Sequence, residues 1–150
     1  MPANYSFRLD AQWVGGGRGV VENELQVPAI RFSAPPEFQG ESGFWTPEHF
    51  LLAAVASCFV TTFHAIAEIS RFEPAGLQLT AEGTIEKAEG GLQFTRITLK
   101  PVLMVARASD QERGARLLEK TERSCLVSRS LKSQIEMQPR VEVGVTPMAV

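Results

Sequence analysis

Two cysteines, Cys58 and Cys125, carry the most reactive chemistry in this chain. Cys58 lies mid-way along an apolar stretch, twelve residues beyond Thr46. If that stretch is a helix, the cysteine is past the turn over which a helix dipole acts. A thiol buried there should have a raised pKa unless a fixed cation stands near it. The best candidate cation is Arg18, lifted out of a glycine setting by Gly15-Gly16-Gly17-Arg18-Gly19. Its charge survives burial, and its fork can bind a carboxylate while facing sulfur. Glu48 could be that carboxylate, and Cys125 could be a resolving thiol. Two cysteines in a cytosolic chain do not make a disulfide framework, and inert core thiols are the commoner arrangement. By the same token, Arg18 may be read as a solvated turn residue. The residues alone leave both readings open.

Other chemistries fit less well. The glycine run is followed by no Lys-Ser/Thr pair and opens no helix, so it carries no phosphate-binding fingerprint. A four-ligand zinc site would need both cysteines and both histidines, His49 and His64, with none at finger spacing. No metal or organic cofactor is expected. His64 is six residues after Cys58, about 240° around a helix, and reads as a core or interface histidine rather than a base.

The elements that must position these groups are visible in the apolar patterning. Thr46 to Arg71 reads as one long helix, with Thr46 as N-cap, Pro47 in the first turn and Glu48 where the dipole favours an acid. Phe72-Glu73-Pro74 ends it. The helix is apolar nearly all round and should be buried on all sides, which one chain achieves only with help from a second copy. Ser57, Thr61, Thr62, His64 and Glu68 argue against a membrane span.

Before the helix, Tyr5, Phe7, Leu9, Ala11 and Trp13 alternate with polar residues as a half-buried strand. Val20-Val21, a turn at Glu22-Asn23, then Leu25, Val27, Ile30 and Phe32 read as two more strands, with Pro28 marking an edge or bulge. The loop 33–45 carries Phe38, Phe44 and Trp45. With Phe50 and Phe59 these aromatics are either core filler or the apolar wall of a substrate site.

After the helix, Leu77 to Ile85 and Leu92 to Met104 form a hairpin turning at Glu89-Gly90-Gly91, with a phase slip near Arg96. Ser109-Asp110-Gln111-Glu112 is a capping-box signature opening a second helix, whose Ala115, Leu118 and Glu122 share a face. A short helical turn through Leu126, Val127 and Leu131 follows, and Ile135, Met137, Val141, Val143 and Val145 alternate as a last strand. The order predicts an α+β fold, a mostly antiparallel sheet wrapped around two helices, in one domain spanning residues 1–150.

Composition agrees: 150 residues, 44% hydrophobic and 21% charged, suit one globular domain with a sizeable core. A net charge of -2 gives no footprint for nucleic acid or an anionic membrane. Met1 to Arg8 lacks an apolar core and cleavage site, so a cytoplasmic location is expected.

The stretch from Thr46 to Phe59 resembles the first signature of the OsmC/Ohr family of organic hydroperoxide reductases, in which a carboxylate stands ten residues before the peroxidatic cysteine. Cys125-Leu126-Val127-Ser128-Arg129 resembles the second signature, around the resolving cysteine, with Leu126 where the family usually has proline. Gly16-Gly17-Arg18-Gly19 matches the place of the family's arginine. The resemblance implies an intertwined homodimer that reduces organic hydroperoxides without a cofactor. Cys58 would become a sulfenic acid and then a disulfide with Cys125. Arg18 would hold the thiolate and Glu48 would anchor Arg18. The family's reductants are small dithiols or lipoyl-bearing proteins. The runner-up is a non-catalytic dimeric module that binds a lipid or small apolar ligand.

Helix geometry adds a constraint. Glu48 and Cys58 are ten residues apart, about 15 Å along a straight helix, too far to share one arginine. Glu48 is therefore expected to serve the Cys58 of an antiparallel second copy.

Overall fold

The structure, a computed structural model, describes residues 4–144. Residues 1–3 and Val145, the last residue of the expected final strand, lie outside that range. The chain forms two compact units, Met1–Leu51 and Leu52–Val150.

The first unit is an antiparallel meander of β1 (Leu9–Gly15), β2 (Arg18–Asn23) and β3 (Ile30–Ser33). Gly15 and Gly16 make the first turn with φ of 115° and 57°, left-handed values that glycine takes at no steric cost. Ser33, fully buried, then pins the following loop: its N–H donates to Trp45 O at 2.9 Å and its hydroxyl accepts from Glu41 N at 2.9 Å. A side chain at Gly40 would collide with the Ala34 carbonyl, so the loop closes only with glycine there.

Two expectations are corrected in this unit. The alternating residues Tyr5 to Trp13 do not half-bury a strand: Tyr5 and Phe7 precede β1, and Tyr5, Phe7, Leu9 and Trp13 are all exposed. Leu25 and Val27 belong to the connection before β3, where Pro28 denies the chain a ladder donor.

Helix α1 (Pro47–Ile69) starts as expected, with the Thr46 hydroxyl accepting from His49 N at 3.1 Å. Within one chain it is buried along one side. A single stripe with four-residue spacing, Val55, Phe59, Phe63 and Ala67, enters the core of the second unit. Val60 and Ile69 are exposed, because one chain's sheet covers only one flank of a helix. By length and composition α1 is apolar enough to cross a bilayer.

Facing that stripe is a long hairpin, β4 (Gly76–Ala88) and β5 (Gly91–Val105), with Ile97, Leu99, Leu103 and Val105 turned inward at period two. The phase slip is a bulge: Thr84 pairs with Arg96 and Ile85 with Phe94, leaving Thr95 unpaired. Helix α2 (Gln111–Ser124) closes the core with Leu117 and Leu118. Its buried face is Gly114, Leu117, Leu118 and Thr121 rather than the Ala115–Leu118–Glu122 face expected, and a Cβ at Gly114 would press on Leu103 at 2.8 Å. Nor is Ser109 its cap. A 3-10 turn, Ala108–Asp110, precedes α2, and the Asp110 carboxylate accepts from Arg107 Nε at 3.3 Å instead of capping the helix.

The short helix α3 (Leu126–Arg129) follows. The final strand is divided into β6 (Gln134–Met137) and β7 (Arg140–Val143), both parallel to β5 and in one register. That register sets Pro139 opposite Pro101, where neither residue has an N–H to donate.

Candidate functional site

Cys58 lies between Val55 and Phe59 in sequence but off the core stripe, half-buried on the flank of α1. One turn further on, the Thr62 hydroxyl stands 3.8 Å from its sulfur. Cys125 is fully buried at the junction of α2 and α3. Its φ of -67° and ψ of 113° end one helix, and Arg129 N donating to Cys125 O at 3.0 Å starts the next. Both thiols are free.

The fold brings the two together, so that each thiol bears on the ionisation of the other. Their environments push them in opposite directions. Burial pushes the Cys58 thiol up, but it is outweighed by hydrogen bonds from the main chain of Val127, from Cys125, from Thr62 and from the main chain of Leu126, and the net shift is down. Burial pushes the Cys125 thiol up; the neighbouring Cys58 adds to that, and the nearby main chain and side chain of Ser128 do not offset it. The pair thus holds one sulfur poised to ionise beside one held as a neutral thiol, the division of labour a nucleophile and its resolving partner require.

The expectation names Arg18 for this role; among the described residues the groups that lower the Cys58 pKa are main-chain N–H groups at the start of α3, with Cys125 and Thr62. The residue at 126 matters here, since a proline in place of Leu126 has no N–H to give. Sequence reasoning missed these donors, which become neighbours of Cys58 only through the fold.

Arg18 opens β2 in the first unit, with Nε 3.9 Å from Glu41 Oε2. Glu41, not Glu48, is the carboxylate beside Arg18, because Ser33 ties the Glu41 main chain down close to the β2–β3 pair. Glu48 has one carboxylate oxygen, Oε1, buried without a hydrogen-bond partner. An unpaired buried carboxylate oxygen is costly, and among the described residues Glu48 Oε1 has no counterpart.

The five aromatics separate. Trp45 stacks on Phe50, with centroids 5.8 Å apart and planes at 11°, and both belong to the first unit. Phe32, not anticipated from the sequence, meets Phe50 edge-on at 6.1 Å. Phe44 lies under the Arg31 guanidinium at 5.3 Å, and Phe38 is exposed as the last residue of a 3-10 turn. Phe59 is fully buried in the core of the second unit, where it fills space rather than lining an open wall.

His64 is exposed and paired with Glu68 at 2.9 Å, not buried. His49 Nδ1 meets the Thr46 hydroxyl at 2.7 Å. Among the described residues no three His, Cys, Asp or Glu side chains are grouped to hold a metal ion.

Known proteins share this arrangement of elements. The chain is 30% identical over 146 residues to the uncharacterized protein YmaD of Bacillus subtilis, covering 94% of this chain and 96% of that one. It is 29% identical over 131 residues to peroxiredoxin OsmC of Escherichia coli, covering 85% and 90%. A solved structure from Legionella pneumophila, described as an organic hydroperoxide resistance protein OsmC, superposes with a TM-score of 0.74 at 22% identity, covering 96% of this chain and all of that one. Residues 40–140, from the loop before α1 to the start of β7, match the family described as OsmC-like protein. The chain belongs to the OsmC-like family.

Proposed function

We propose that this protein is a cysteine-based peroxidase that reduces organic hydroperoxides to alcohols. The observation that supports the reading is the pair of free thiols, half-buried Cys58 on α1 and buried Cys125 at the α2–α3 junction, the first with its pKa lowered and the second with its pKa raised. In the first step the Cys58 thiolate attacks the distal oxygen of the hydroperoxide. The O–O bond breaks, an S–O bond forms, and the alkoxide takes up a proton and leaves as the alcohol. Sulfur is oxidised to the sulfenic acid and the peroxide is reduced, so no cofactor is required. In the second step Cys125 displaces hydroxide from that sulfur, giving the Cys58–Cys125 disulfide and water. A dithiol, either a small molecule or a lipoyl-bearing protein, then reduces the disulfide by exchange.

Arg18 and Glu48 take the roles that the family resemblance gives them. The buried, unpartnered Glu48 oxygen supports a homodimer in which Glu48 acts on the site of the other copy. Two free thiols suit the reducing cytoplasm. The names of two relatives, a peroxiredoxin and an organic hydroperoxide resistance protein, support the substrate class.

The test is consumption of cumene hydroperoxide and of hydrogen peroxide by reduced protein with a dithiol present. Turnover of the organic peroxide is expected. Consumption of neither would turn the reading towards a non-catalytic module for an apolar ligand.

A further inference from the structure

Ser128 has only 5% of its surface exposed, and its hydroxyl oxygen is buried without a hydrogen-bond partner. Burying a hydroxyl in that state is costly, and helical hydroxyls normally escape the cost by donating to the carbonyl four residues back. Thr121 does so to Leu117 O at 2.7 Å and Ser130 to Leu126 O at 2.8 Å, one on each side of Ser128. The equivalent carbonyl for Ser128 belongs to Ser124, the last residue of α2, and the extended Cys125 breaks the helix between them. The Ser128 side chain and main-chain N–H lie beside the Cys125 sulfur instead, the hydroxyl with no hydrogen bond formed to it. The other titratable group facing that sulfur is Cys58 from α1, while Arg123 of α2 and Arg129 of α3 are exposed.

We propose that Ser128 is the positioning residue of the resolving step: its unpartnered hydroxyl is held for Cys125 Sγ and donates to that sulfur as it gives up its proton. The assignment rests on the peroxidase reading of Cys58 and Cys125. In the step concerned, the S–O bond of the Cys58 sulfenic acid breaks and the S–S bond forms. The sulfenic sulfur is reduced, the Cys125 sulfur is oxidised, and the Cys125 proton leaves with the hydroxide as water. A neutral thiol in a dry site resists that proton loss, and a waiting hydroxyl donor is what lowers the resistance. Cys58 is served in the same way by Thr62, so each sulfur has a hydroxyl of its own.

The first measurement needs no peroxide. In Cys58→Ser protein Cys125 is the sole cysteine, and its ionisation is followed by thiolate ultraviolet absorbance. Adding Ser128→Ala should move that titration up by about one pH unit, the shift expected for one lost hydrogen bond. The second measurement uses protein with both cysteines, given one equivalent of organic hydroperoxide and quenched with an alkylating reagent. Ser128→Ala should slow the loss of sulfenic acid about tenfold at neutral pH. A purely structural serine would alter the melting temperature and leave both readouts where they were. An unmoved titration or an unmoved condensation rate overturns the assignment. If the parent protein forms no sulfenic acid at all, the peroxidase reading falls, and the titration still decides whether Ser128 serves Cys125.

Discussion

Arg18 Nε stands 3.9 Å from Glu41 Oε2, with 45% and 60% of the two side chains exposed. Such a pair contributes little, because water screens it and both side chains lose freedom in making it. Glu41→Ala should therefore leave kcat/KM within about twofold and change stability by about 0.5 kcal/mol or less. Glu48→Ala, which removes the buried carboxylate proposed to orient arginine in the assembled site, should lower kcat/KM by about a hundredfold or more. Steady-state rates and thermal melts of the two variants check this. Equal losses would make Glu41 the anchor.

Peroxide treatment should link Cys58 to Cys125 within one chain. Cys125→Ser should stop at a sulfenic acid on Cys58 that a dimedone-type reagent traps, and Cys58→Ser should consume no peroxide. Peptide mapping by mass spectrometry reads all three outcomes, and two free thiols after excess organic peroxide would sink the scheme.

The downward shift of the Cys58 thiol has a signed consequence for rate. The thiolate is the reactive form, so the rate of peroxide attack should rise with pH and level off at a pH below that for an ordinary cysteine, about 8.5. Leu126→Pro keeps a residue suited to the first turn of α3 but removes one donor to Cys58. Its rate profile should move to higher pH, leaving the attack slower at neutral pH and unchanged on the alkaline plateau. Stopped-flow rates across pH measure both limbs.

Phe59 and Trp45 should respond in opposite ways. Phe59→Ala opens the core of the second unit and should cost about 3–5 kcal/mol of stability. Trp45, half exposed and stacked on Phe50, should cost far less when truncated. If its ring walls the peroxide site, Trp45→Ala should erode the preference for cumene hydroperoxide over hydrogen peroxide. Chemical denaturation and the ratio of the two kcat/KM values separate core from wall.

Shared sites between two copies make a sharper claim. Glu48→Ala and Cys58→Ser subunits, each inactive alone, should regain activity when refolded together, since one intact site is rebuilt per mixed dimer. Verified mixed dimers that stay inactive, from parents that are folded and dimeric, would show that Glu48 acts within its own chain.

Local signals were read well from the sequence. Thr46 and Pro47 mark the start of α1, and the break in alternation near Arg96 marks the bulge at Thr95. Both are written in a few adjacent residues, where propensity and period decide. What could not be read depends on which segments meet. Alternation from Tyr5 to Trp13 signals a strand but says nothing of whether anything covers it. The apolar girth of α1 likewise does not say how much of it one chain can bury. The main-chain donors to Cys58 lie almost seventy residues away in the chain, and Glu41 reaches the neighbourhood of Arg18 through a loop held by Ser33. Ser109 carries the capping-box letters, but the 3-10 turn before α2 takes the helix start past it.

The main-chain origin of two of the donors to Cys58 bears on how this protein can vary. An amide N–H is common to every residue but proline, so substitutions at positions 126 and 127 change the surface around the thiols without disarming the nucleophile. Leu126 is itself largely exposed, 68% of its surface facing solvent. On the proposed peroxidase reading, mutation there would retune what approaches the thiol pair while the main-chain donors to Cys58 stay in place, so that reactivity and partner choice would be separately evolvable at one short turn of helix.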